Sequence, residues 1–120
     1  MQTTSARLSR IAPELQASDL RASIEYYVER LGFSLAMEMQ DYAIVERDGI
    51  AIHLFDDAER KHSPAAIHIF TPDIDELFAE LEARGATITQ PIERKPWGNR
   101  EFRVKDEFGN ELKFTEPVEE

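Results

Sequence analysis

The chain has 120 residues, 42% of them hydrophobic and 32% charged, with 14 basic against 24 acidic side chains for a net charge of −10. Such a composition suits one packed globular domain rather than a disordered tail, and its acidity argues against nucleic-acid binding while allowing attraction of a cationic small molecule. The absence of cysteine removes disulfides, thiolate metal sites and cysteine nucleophiles together.

Neither a signal-like apolar opening nor a run of ~18 apolar residues is present, so the expected setting is cytoplasmic, with no membrane partner. Ile11 to Ala17 read as an extended segment, interrupted by Pro13, which lacks an amide hydrogen and tolerates only an edge or bulge position. Ser18-Asp19 then cap a helix carrying Leu20, Ile24, Tyr27, Val28 and Leu31 on one stripe, with Gly32 as its stop. Tyr42–Arg47 and Ile50–Phe55 form a hairpin turning at Asp48-Gly49.

The same order then returns. Ala66–Phe70 is extended, Thr71-Pro72-Asp73 opens a second helix with Leu77, Phe78 and Leu81 as its stripe, and Gly85 ends it. Glu101–Lys105 and Asn110–Thr115 close the chain, turning around Phe108-Gly109. Asp19 corresponds to Asp73 and Gly49 to Gly109, so a βαβββ unit occurs twice, at about residues 10–60 and 65–117 of one domain spanning 1–120. The expected fold is α+β: two curved sheets, one helix behind each, and a concave face left open.

Strand alternation assigns the faces. Ile50, Ile52 and Leu54 point to the helix, which leaves His53 and Phe55 in the cup; His68 and Phe70 hold the matching place opposite Ile67 and Ile69. Trp97, the only tryptophan, sits in a loop between Pro96 and Gly98, a setting that suits ring stacking on a ligand as well as plugging of the cup. Tyr26, Tyr27, Phe33 and Phe78 read as core. No phosphate-binding glycine pattern and no GxSxG elbow occur.

The segment from Ala12 to Leu20, with its proline, resembles the opening of bleomycin-resistance proteins. Arg30-Leu31-Gly32-Phe33, the run Pro96-Trp97-Gly98-Asn99-Arg100-Glu101-Phe102, and Asp106 with Gly109-Asn110 are similar to further signatures of that family. The likeness covers residues 10 to 116, within the wider glyoxalase and vicinal-oxygen-chelate superfamily. Glu107 stands where the family usually has proline.

The resemblance implies an arm-exchanged homodimer crossing at Pro13, and a ligand-binding crevice. Trp97 and Tyr42 would sandwich a flat ring over Phe55 and Phe70, with His53 and His68 as polar lining. Superfamily enzymes hold a divalent metal from four symmetric strand positions, which fall here on Ala12, His53, Ala66 and Lys113. Two methyls and a cation cannot coordinate, so no metal, no cofactor and no catalytic residue is expected. The implied function is non-catalytic sequestration of a bleomycin-type antibiotic or similar planar cationic compound, conferring antibiotic resistance. Rival readings are a metal-dependent enzyme of the superfamily, a binding module for another metabolite, and a purely structural interaction protein.

Overall fold

A computed structural model describes residues 6–57, 59 and 63–117. The first sheet contains β1 (Glu14–Gln16), β2 (Ser34–Glu38), β3 (Tyr42–Arg47) and β4 (Ile50–Phe55), in spatial order β1-β4-β3-β2. The second contains β5 (Ala66–Phe70), β6 (Thr87–Arg94), β7 (Arg100–Lys105) and β8 (Glu111–Thr115), in order β5-β8-β7-β6. In each sheet the first strand runs parallel to the last and the others pair antiparallel, so the twofold repeat read from the sequence is also a repeat of topology. Register shifts interrupt β2–β3 between Leu35 and Met37 and β6–β7 between Ile88 and Glu93. Irregularities of this kind bend a strand pair, which is what a concave sheet needs.

Asp48 (φ 51°) and Gly49 (φ 79°) both adopt the left-handed conformation at the β3–β4 turn, as a two-residue hairpin matched to strand twist requires. Helix α1 (Leu20–Glu25) is capped by Asp19, whose carboxylate accepts the Ala22 amide hydrogen at 3.1 Å. The helix then departs from expectation, because Tyr26–Arg30 form a wider π-helical turn before Gly32. Adjacent Tyr26 and Tyr27 are both buried there, and both hydroxyls reach the second module. Helix α2 (Ile74–Ala83) also starts differently. Asp73 makes no side-chain cap; the Thr71 hydroxyl accepts the Asp73 amide hydrogen instead.

Each helix packs behind its own sheet, α1 on β3 and β4, α2 on β6 and β7. The helix-facing set merges into one apolar cluster that spans both halves, from Leu15, Ile24, Ile52 and Leu54 to Ile74, Leu81, Phe102 and Phe114. Phe78 packs only at its edge. Polar groups join the modules as well. Tyr27 donates to Asp106 at 2.8 Å, Asn110 donates to the Gln16 carbonyl, and Arg47 makes a bidentate pair with Glu80 at 2.7 and 2.9 Å.

The radius of gyration is 16.1 Å, against about 14 Å for a compact domain of this length. Part of the excess is an extended stretch before β1, where Leu8 is 100% and Ile11 95% exposed. No helix among the described residues is long and apolar enough to cross a membrane.

Candidate ligand-binding cup

The open face of the first sheet is built by β1, β4 and β3. Pairing sets Glu14 beside His53, Gln16 beside Phe55, and Tyr42 across from Phe55. The Tyr42 hydroxyl donates to the Glu14 carboxylate at 2.9 Å and lies 2.6 Å from His53 Nδ1, while the Tyr42 and His53 rings meet edge-on. Desolvation and then the neighbouring Glu14 carboxylate raise the Tyr42 phenol above its ordinary range, so it stays protonated at neutral pH. Phe55 is buried but stands outside the helix-side cluster, as a floor residue of the opposite face would.

On the second sheet, His68 and Phe70 are exposed and their rings stack, with His68 Nδ1 3.1 Å from the Thr115 hydroxyl. Beside them lies a charged lattice that the sequence reading missed. Glu101, only 1% exposed, accepts from Arg103 at 2.7 Å; Arg103 and Lys113 both approach Glu111, at 3.8 and 3.9 Å. Alternation in Arg100–Lys105 and Glu111–Thr115 carried the signal. Phe102, Val104, Leu112 and Phe114 are buried in the core, which sends the charged residues between them to the other face.

Trp97 stands at the tip of the β6–β7 hairpin and is 65% exposed. The tip is fixed from below: Gly98 (φ 108°) closes a turn onto the Lys95 carbonyl, and Asn99, buried, donates to the Glu116 carbonyl. Arg100 grips both Asp75 and Glu116. Within one chain Trp97 contacts no ring among the described residues. The structure therefore brings together Tyr42, His53 and Glu14, and separately His68 and Phe70; it does not bring Tyr42 to Trp97.

Of the four symmetric metal positions, Ala12 and Ala66 carry no donor and Lys113 is a cation beside Glu111. Among the described residues no three His, Asp or Glu side chains are grouped to hold a metal. Among the described residues these positions supply no donor set that fits a divalent metal. A cavity of about 640 Å³ lies at the seam of the modules; Phe70 lines it, while Tyr42, His53 and Trp97 do not. Phe33, Ile69, Leu77 and Phe114 wall it, and Asp48 and Glu76 line it as well.

Two matched half-cups of βαβββ topology define a class. Residues 7–114 match the model of the Glyoxalase/Bleomycin resistance protein/Dioxygenase superfamily, and the chain belongs to that superfamily. Within it, the chain is 25% identical to a bleomycin resistance protein of Geobacillus stearothermophilus, over 88% of this chain and 95% of that one. Among solved structures it is similar to the bleomycin-binding protein of bleomycin-producing Streptomyces verticillus, solved with copper(II)-bleomycin. Identity there is 28%, the TM-score is 0.75, and the match covers 95% of this chain and 100% of that one. TioX from Micromonospora sp. ML1 is 27% identical with a TM-score of 0.79, covering 92% of this chain and 99% of that one.

Proposed function

We propose that this protein binds a bleomycin-type glycopeptide, or a planar cationic compound like it, in the cup and withholds it without chemical change. The observation that carries the reading is the pair of rings left in the open, Trp97 at 65% and Phe70 at 59% exposure. Large apolar rings held out in water on a fixed framework are characteristic of surfaces that await a partner. The bleomycin-binding and bleomycin-resistance relatives support the ligand class. The net charge of −10 favours a cationic ligand.

In this reading a second copy completes the cup. Tyr42 lies in the first sheet and Trp97 at the hairpin tip of the second, and the apolar residues Leu8 and Ile11 of the arm are bare. β1 pairs with β4 only from Pro13 onward, where the Pro13 carbonyl accepts the His53 amide hydrogen. Exchange of arms ahead of Pro13 would cover Leu8 and Ile11 and set one chain's Tyr42 against the other's Trp97.

Because Trp97 is the sole tryptophan, its fluorescence tests the reading directly. Stacking on a flat heteroaromatic system should quench it saturably as metal-free bleomycin is added. Unchanged emission at ligand concentrations that saturate known bleomycin binders would refute the proposed role of Trp97.

A further inference from the structure

Gln16 is 8% exposed, and its side-chain oxygen is a buried acceptor with no hydrogen-bond partner. Buried acceptors are nearly always satisfied, and leaving one bare is costly, so an orphan of this kind marks a place where a donor belongs. Alternation about Leu15, which points into the core, sets Gln16 on the same face of β1 as Glu14. Glu14 in turn touches Tyr42, and Tyr42 touches His53.

The protons of that trio can be counted. A carboxylate only accepts, so the single phenol proton of Tyr42 goes to Glu14. The contact at 2.6 Å between the phenol oxygen and His53 Nδ1 then needs its proton from the imidazole. As a neutral ring His53 is therefore held as the Nδ1–H tautomer, and its Nε2 then presents a lone pair with no partner among the described residues. His68 is held more loosely: the Thr115 hydroxyl donates to the Lys113 carbonyl at 3.2 Å and meets His68 Nδ1 at 3.1 Å, with no carboxylate in the relay.

We infer that the first-sheet wall of the cup is an acceptor array, formed by His53 Nε2, the Gln16 side-chain oxygen and the Glu14 carboxylate, that recognises a cationic group rich in N–H donors, such as an amidinium, guanidinium or ammonium. This deepens the ligand reading above and rests on it for the ligand; the wiring of His53 stands independently. The array has three acceptors, one of them a carboxylate. A carboxylate or phosphate would meet only lone pairs there. A flat amidinium would satisfy the orphan oxygen and share charge with Glu14.

Two measurements on the whole protein separate the wiring from the ligand. In protein labelled with ¹⁵N-histidine at pH about 8.5, above the usual histidine range, His53 should show the Nδ1–H form. In Tyr42→Phe, which keeps the ring and Glu14 but removes the bridging oxygen, it should relax toward the Nε2–H form that imidazole prefers in water. An Nε2–H tautomer in the native protein, or one unmoved by Tyr42→Phe, overturns the wiring.

Benzamidinium, benzamide and benzoate then serve as probes. Benzamidinium should shift the His53 Nε2 resonance, benzamide less, and benzoate not at all. Gln16→Met, of similar size but without the orphan oxygen, should weaken benzamidinium on the order of tenfold while leaving the melting temperature unchanged or raised. A His53 resonance unmoved by benzamidinium, or a Gln16→Met variant of full affinity, overturns the ligand assignment whatever the tautomer result.

Discussion

Truncating Trp97 to alanine separates a ligand platform from a structural plug. The ring is 65% exposed, so only a third of its surface is withheld from water. Full burial of a large apolar side chain contributes roughly 1.5–3 kcal/mol, so this fraction puts the folding cost at about 1 kcal/mol or less. A ring plugging the cup would instead cost ~3–5 kcal/mol on truncation. For a centrally placed aromatic hot spot, the loss of ligand affinity is about 2–4 kcal/mol, roughly 30- to 700-fold. Urea denaturation of the variant and calorimetric titration with bleomycin read the two quantities separately. Tyr42→Ala should cost less affinity than Trp97→Ala, and the double variant less than the sum, because opening either side admits water to the other. An unchanged affinity beside a folding loss of several kcal/mol would refute the stacking role.

The remaining predictions follow from charges and connections. Burial first, and then the Asp106 charge, hold the Tyr27 phenol well above its ordinary value of 10, so its contribution to stability is complete below about pH 10 and is lost as pH rises toward the folded value. Tyr27→Phe should flatten that alkaline limb of a denaturation series, and an unaltered limb would contradict the assignment. Hydrogen bonding from Arg47 lowers the Glu80 carboxyl, so the seam it forms is intact above about pH 4.5 and fails as pH falls through the depressed value. Glu80→Gln should therefore lose stability near neutrality and show a shallower acid limb in circular dichroism melts. Removing residues 1–16 deletes β1 as well as the arm, and the product should aggregate or fail to fold; a soluble folded product of unchanged mass per particle by light scattering would exclude arm exchange.

Much of the fold was legible because the repeat was written twice. The Asp48-Gly49 turn, the helix stops at Gly32 and Gly85, and the alternation of Ile52 and Leu54 against His53 all reappear in three dimensions. What stayed hidden was carried by long-range pairing. The widened turn at Tyr26–Arg30 accompanies hydroxyl contacts with residues about eighty positions away, which no local pattern announces. The helix stripe also overstated Phe78, which packs only at the margin of the core. Within the cup, Glu14 and Gln16 drew no notice because a three-residue strand offers too little alternation to read, and their importance arises from register with His53 and Phe55. Glu101 and Arg103 obey the same alternation as His53, since Phe102 and Val104 between them face the core.

The proposed function requires that the cup hold a bleomycin-type ligand unaltered. Isothermal titration calorimetry with metal-free and copper(II)-bleomycin, followed by mass spectrometry of the recovered drug, tests this directly. Saturable binding of at least one form is expected, at one site per chain, with the drug returned at its original mass. Absence of binding to both forms, or recovery of a chemically altered drug, would contradict it.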